Sequence, residues 1–143
     1  MRLGFTGTRE EPTQAQIDWL TEFFRQEKPT ELHHGACVGS DWAAHRVAAG
    51  NFAIVVHPPI DERLMVRASK LMIYRDVLIL PPAPYLERNR HIVDNTDRLV
   101  AFSRAGDDMN TMKSGTWATV RYAKSQGKPV DVIYPDGQAR KYN

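Results

Sequence analysis

Three loops of the sequence place glycine directly ahead of a predicted helix, and each adds polar or charged side chains. Glycine lets the backbone approach a ligand closely, and the free N–H groups at a helix start attract phosphate or carboxylate. The three loops together therefore predict a binding site for an anionic ligand. The residues concerned are Gly7, Thr8 and Arg9, then Gly35, Ala36, Gly39, Ser40 and Asp41, and finally Ser114, Gly115 and Thr116.

A fourth candidate segment is "YLERNRHI", which places Arg88, Asn89 and Arg90 near the start of another predicted helix. An isolated pair of arginines usually forms a solvated basic face. The forked guanidinium donors also suit phosphate well, so both interpretations stay open. His57 ends a predicted strand, and we expect it to line the same site.

Other reactive side chains lack partners at a useful spacing. Asp41 and His45 share one helix face and offer two metal ligands, which is too few for a site. Cys37 lies in a loop of small residues, where a space-filling thiol is the expected role because no spacing pairs it with a histidine base. The sequence therefore predicts no metal and no cofactor.

The elements that must position these residues alternate along the chain. Apolar runs predict five strands, at 3–6, 31–33, 53–57, 99–102 and 130–134, and helical spacing predicts helices between them. The first helix opens with a capping box formed by Thr13 and Gln16. The pattern predicts a single α/β domain over 1–143, a Rossmann-like, doubly wound, mostly parallel five-stranded sheet with strand order 3-2-1-4-5. Ligands of such sheets bind at the carboxyl ends of the strands.

Two segments are harder to assign. Leu64, Ala68 and Leu71 fit one helix face, so the spacing predicts a helix within 61–80, ending in a short extended stretch at 77–80. In the helix over 85–95, Leu86 and Val93 are predicted to point inward. The long polar loop 103–115 is predicted to be a mobile lid over the site.

Composition sets further limits on the protein class. The chain has 143 residues, of which 42% are hydrophobic, enough for one core. Its formal charge of +2 is too balanced to indicate nucleic-acid binding. The sequence has one cysteine, no signal-peptide pattern at the start and no long apolar run. These features predict a cytoplasmic protein without membrane contact. Trp19, Phe23 and Trp117 look exposed on their helices, which predicts a homodimer or larger homo-oligomer.

Four stretches, in order, resemble a known superfamily: "GTREEPT", "HHGACVGSDWAAHRVAA", "YLERNRHIVDNTDRLVAFS" and "KSGTWATVRYAKSQGKPVDVIYPDG". They are similar to the DprA/Smf and LOG (SLOG) superfamily of Rossmann-like proteins, and most similar to the Rossmann domain of DprA. The resemblance spans nearly the whole chain. It implies that the protein binds a nucleotide or nucleotide-derived small molecule, as a receptor or sequestering module.

Two alternatives follow from the same resemblance. The LOG branch comprises phosphoribohydrolases, which implies an N-glycosidic hydrolase or transferase with Arg88 as the catalytic arginine. Here Thr119 stands where that branch has glutamate, so Asp41 would have to replace the missing carboxylate, and Thr119 becomes a candidate ligand contact.

The DprA branch implies single-stranded DNA binding. The cations available for that role are Arg63, Arg67, Lys70, Arg88 and Arg90. We do not favour this partner, because the chain is nearly neutral overall.

Overall fold

The computed structural model of the protein describes residues 1–74, 76–107 and 114–143. Part of the loop predicted to be a lid, residues 108–113, lies outside the described residues. The strands are β1 (Arg2–Gly7), β2 (Glu31–His34), β3 (Ala53–Val56), β4 (Val77–Ile79), β5 (Arg98–Phe102), β6 (Val130–Ile133) and β7 (Ala139–Tyr142). The helices are α1 (Gln14–Glu27), α2 (Ser40–Ala48), α3 (Ala68–Leu71), α4 (Tyr85–Asp94) and α5 (Gly115–Ser125).

The strands form one seven-stranded sheet in the order β4-β3-β2-β1-β5-β6-β7. All neighbours are parallel except β7, which runs antiparallel to β6. The prediction of a mostly parallel α/β sheet is confirmed, and the five predicted strands have the predicted order. The count of five is wrong, because β4 and β7 add one strand at each edge.

Alternate residues of β1 face the two helical layers. Leu3 and Phe5 pack with Leu20 and Phe24 of α1 in one apolar cluster. Gly4 points to the opposite face, toward Ile92 of α4. On that face α5 buries Trp117 completely against β5 and β6. The sheet is therefore covered by α1 and α2 on one side and by α4 and α5 on the other.

The predicted capping box at the start of α1 is confirmed. The amide of Gln16 donates to Thr13 Oγ1 at 3.2 Å, and the amide of Thr13 donates to Gln16 Oε1 at 3.0 Å. The side-chain Nε2 of the buried Gln16 also donates to the carbonyls of Ser103 and Ile133. This one side chain therefore caps α1 and attaches it to the ends of β5 and β6.

The helix predicted within 61–80 is mostly wrong. Only Ala68–Leu71 is helical. The segment before it pairs with the loop that follows β2, since Val38 N donates to the Leu64 carbonyl and Val66 N to the Ala36 carbonyl. These long-range hydrogen bonds hold 64–66 against the loop that follows β2, and tertiary pairing overrides the helical spacing.

Three side chains lie elsewhere than predicted. Leu86 is 64% exposed rather than inward-facing. Phe23 and Trp117, expected to be exposed, are buried. The homo-oligomer stays a prediction, but two of the three aromatic residues behind it belong to the core. No helix in the described part of the chain is both long and apolar enough to cross a membrane.

The close approach of α4 to the sheet depends on Gly4. A Cβ atom there would lie 2.8 Å from Thr96 Oγ1 and 3.2 Å from both Ile92 and Leu99 side chains. We expect Gly4→Ala to lower the free energy of unfolding by about 1–3 kcal/mol through overpacking. Gly115→Ala is the matched control, because a Cβ there meets only Asn89 Nδ2 at 3.9 Å. Urea denaturation of both variants checks this, and equal stabilities would contradict it.

Candidate functional site

A cleft of about 450 Å³ opens at the carboxyl ends of the central strands, where β1 lies between β2 and β5. This is the position where the strand order reverses, and ligands of open α/β sheets bind there. The volume lies within the ~300–1,000 Å³ typical of small-molecule sites. The cleft is lined by Phe5, Thr6, Gly7, Thr8, Arg9, Gly35, Cys37, Asp41, Tyr85, Leu86, Arg88, Asn89, Ile92, Arg104, Asp107, Ser114, Gly115 and Thr116.

The cleft brings together most of the residues that the sequence predicts for a site. Those lining it are Gly7, Thr8, Arg9, Gly35, Asp41, Arg88, Asn89, Ser114, Gly115 and Thr116. Arg90 and Thr119 lie beside it, in a smaller groove between α4 and α5. Ala36, Gly39, Ser40 and His57 are not among the lining residues, and all four are buried.

Three of the predicted glycines are required by packing within the protein. A Cβ on Gly7 would lie 2.5 Å from the Cβ of Ser40, and one on Gly35 would overlap the Arg88 guanidinium. Gly39 has φ +83°, and a Cβ there would collide with the backbone of Arg9. Gly115 differs, because its Cβ position is nearly open. Of these four glycines, Gly115 alone has no neighbour that requires glycine.

The start of α5 forms one wall of the cleft. Ser114 is the N-cap, and its hydroxyl accepts from the amide of Trp117 at 3.4 Å. The first turn contains no acidic residue. The first amides of an α-helix lack an acceptor within the helix and carry a partial positive charge. This wall can therefore hold an anionic group.

Arg88 is buried at the base of the cleft, with 4% of its surface exposed. Its Nη1 donates to the carbonyls of Gly35 and His57, and its Nη2 lies 3.7 Å from Cys37 Sγ. Its Nε is buried and has no hydrogen-bond partner among the described residues. The guanidinium therefore holds two loops in place, and one of its buried donors is left without a partner in the described chain.

Tyr85 and Arg104 are site residues that the sequence analysis missed. The Tyr85 ring contacts two guanidinium groups, with Arg9 Cζ at 5.5 Å and Arg88 Cζ at 5.1 Å from its centroid. Arg104 forms a 3.2 Å ion pair with Glu10. Arg104 comes two residues after β5, at the carboxyl edge of the sheet. This position is the sequence feature that could have predicted it as a site residue.

Asp107 is a third site residue that was missed. Its carboxylate accepts from Trp117 Nε1 at 3.2 Å, and its carbonyl accepts from the Tyr134 hydroxyl at 3.0 Å. These contacts fix the loop after β5 on the α5 side of the cleft. No sequence feature predicted Asp107 as a site residue, because it lies within a long polar loop.

Asp41 carries an unusual carboxyl group within the cleft. Burial raises the pKa of Asp41 to about 6, although the Arg88 guanidinium and the Cys37 amide act in the opposite direction. The Cys37 amide donates to Asp41 Oδ2 at 3.1 Å. Near neutral pH this buried carboxyl therefore changes between its protonated and ionised forms, as a general acid or base requires.

Two other titratable groups near the cleft, Cys37 and His57, are kept neutral. Burial, followed by the effect of Asp41, raises the pKa of the Cys37 thiol. Burial, followed by the neighbouring His33, lowers the pKa of His57 to about 3. His33 Nδ1 and His57 Nε2 lie 2.8 Å apart, and His34 Nε2 lies 2.8 Å from His45 Nδ1. These histidines form buried hydrogen-bonded pairs behind the cleft.

Asp41 and His45, considered above as two metal ligands, have different hydrogen-bond partners. Asp41 accepts a hydrogen bond from the Cys37 amide, whereas His45 Nε2 lies 3.1 Å from the Leu71 carbonyl. Among residues 1–74, 76–107 and 114–143, no group of three or more His, Cys, Asp or Glu side chains is arranged to hold a metal ion.

No protein-family model matches the sequence. No curated protein matches it either. Solved structures with a similar fold include the following two. DNA processing protein A (DprA) from Helicobacter pylori, described by its single-stranded DNA binding mode, has a TM-score of 0.67 and 19% identity over 93% of this chain. TM1055, a structural genomics target, has a TM-score of 0.62 and 19% identity over 90% of this chain and 71% of its own.

The chain spans 65% of the length of the DprA chain. At this level of identity the similarity concerns the fold: the described domain has the Rossmann-like architecture of DprA.

Proposed function

We propose that the chain belongs to the DprA/Smf and LOG superfamily and binds a phosphorylated nucleotide in the cleft, with its phosphate at the start of α5. The observation that carries this proposal is the open N-terminal turn of α5 on the wall of a 450 Å³ cleft. Three arginines and two aspartates line that cleft, so its formal charge is three minus two, or +1. The helix terminus and the guanidinium groups both favour an anion.

The residues nearest the phosphate in this proposal are those with free donors at the cleft surface. Ser114, Gly115 and Thr116 provide the helix start, and Arg9 is held over the cleft by the Tyr85 ring. Arg104 provides a second exposed guanidinium once it leaves Glu10. Arg88 adds its positive charge at the base of the cleft.

Gly115→Asp tests the phosphate position directly. The variant places a carboxylate where the phosphate is proposed to lie, and the fold should tolerate it because the Cβ position is open. We expect calorimetry to show that at least one of the four common nucleoside 5′-monophosphates binds wild type, and binds at least about tenfold more tightly than its nucleoside. Gly115→Asp should abolish that binding.

Ser125→Asp is the matched control, because it adds the same charge at the other end of α5, where the residue is exposed. It should bind the nucleotide like wild type. Equal affinities of wild type for nucleoside and nucleotide would show that the cleft does not recognise phosphate.

A glycosidic hydrolase is the second candidate, favoured by the buried Asp41 carboxyl with its pKa near 6. Against it, Thr119 does not line the cleft, and its hydroxyl donates to the Gly115 carbonyl at 2.8 Å. In our proposal, incubation with the four monophosphates releases no free base at any pH from 5 to 8, as measured by chromatography. Release that increases as pH rises through about 6 and disappears in Asp41→Asn would instead establish the hydrolase.

The raised pKa of Asp41 also predicts how the free energy of unfolding depends on pH. A carboxyl whose pKa is raised on folding stabilises the protein while protonated, and that contribution is lost as pH rises through the folded value. Between pH 4 and 7, the unfolding free energy of Asp41→Asn should rise relative to wild type by about 2–3 kcal/mol, from the raised pKa of about 6. Urea denaturation at each pH measures this difference. A difference that is constant with pH would mean that Asp41 titrates normally.

Single-stranded DNA binding is less well supported by the positions of the cations. Arg88 is buried and hydrogen-bonded to carbonyls, while Arg63 forms an ion pair with Asp61. Arg90 lies over the Tyr122 ring at 5.3 Å. These arginines therefore do not form one continuous exposed stripe.

A further inference from the structure

A second, smaller groove lies next to the cleft, along the contact between α4 and α5. It has a volume of about 160 Å³ and is lined by Leu86, Asn89, Arg90, Ala118, Thr119 and Tyr122. Leu86 and Asn89 also line the cleft, so the two spaces are adjacent. We call this space the α4/α5 groove. It is below the ~300 Å³ of a complete small-molecule site, so it suits one part of a ligand whose remainder lies in the cleft.

The exposed lining of the α4/α5 groove is mainly apolar. Ala118 leaves space on the α5 side, and Leu86 is 64% exposed on the α4 side. The Tyr122 ring is fixed, because its hydroxyl donates to Asp94 Oδ1 at 2.7 Å. Planar aromatic groups stack well on such apolar and aromatic surfaces, whichever base they carry.

Arg90 adds a positive charge to this lining. Its guanidinium lies 5.3 Å from the centroid of the Tyr122 ring. It forms no ion pair with any carboxylate in the described part of the chain. A guanidinium held in place by an aromatic ring and without a carboxylate partner is suited to a phosphate on the ligand.

We propose that the α4/α5 groove is a second subsite, and that the ligand is a pair of nucleosides joined through phosphate. One nucleotide lies in the cleft with its phosphate at the start of α5. The second base lies against Leu86 and Ala118, and the linking phosphate meets Arg90. This inference rests on the proposed function, and it extends that function from mononucleotides to dinucleotides.

The test compares two probes on the whole chain by calorimetry. The probes are nucleoside 5′-monophosphates and the corresponding 5′-phosphorylated dinucleotides, such as AMP and pApA. Wild type should bind the dinucleotide about tenfold more tightly, which is the order expected for stacking one more base. Ala118→Leu fills the groove and should bring the dinucleotide to the affinity of the mononucleotide, while leaving the mononucleotide unchanged.

Arg90→Gln should weaken the dinucleotide by about three- to tenfold, because it removes one charge-assisted hydrogen bond. Arg67→Gln removes the same charge from an exposed position outside both spaces and should change neither affinity. Thermal unfolding of each variant shows that it is folded.

Equal affinity of wild type for both probes would overturn the second subsite and leave the proposed function standing. A dinucleotide preference that survives in Ala118→Leu would also overturn the subsite. Failure of both probes to bind wild type would overturn the proposed function itself.

Discussion

The buried guanidinium of Arg88 is the interaction on which the arrangement of the cleft depends. It joins α4 to the carbonyls of Gly35 and His57, which follow β2 and β3. No carboxylate lies within 4.0 Å of it in the described chain, although Asp41 is near enough for the two groups to affect each other. A buried charge without a direct partner is costly, so these carbonyl bonds must be maintained. Gly35 follows from this constraint, because any side chain there would displace the guanidinium.

The same constraint explains why glycine-rich loops were an ambiguous sign of ligand binding. Gly7 and Gly39 are needed where α2 approaches β1 and the backbone of Arg9, and Gly35 is needed for Arg88. A sequence pattern records that a side chain is excluded, but it does not record whether a ligand or the protein itself occupies the space. Gly115 differs from these three glycines because its Cβ position is open, and only the three-dimensional structure shows this difference.

How much of the fold was predictable differs between local and long-range features. The order of the five central strands follows from apolar runs and the crossover rule, and the capping box of α1 involves residues three apart. The segment 64–66 was mispredicted because its hydrogen bonds run to the loop after β2, about thirty residues earlier. For the site, the rule on strand ends located the cleft and most of its lining. It could not show that Arg88 is buried or that Tyr85 holds Arg9, since both depend on where α4 packs.

Three helices begin at the cleft, α2, α4 and α5, and of these only α5 has no acidic residue in its first turn. This difference gives the cleft a polarity. The first turn of α2 already contains an acidic residue, Asp41, whose carboxyl group accepts a hydrogen bond from the Cys37 amide. That group reduces the attraction of this helix start for an external anion. The first turn of α5 has no acid and is capped by the neutral Ser114. The anionic part of a ligand is therefore favoured at α5, and groups that donate hydrogen bonds, such as sugar hydroxyls or exocyclic amines, are favoured near Asp41. A nucleotide has both kinds of group at its two ends, which is why the proposed ligand fits the charge distribution of this cleft as well as its volume.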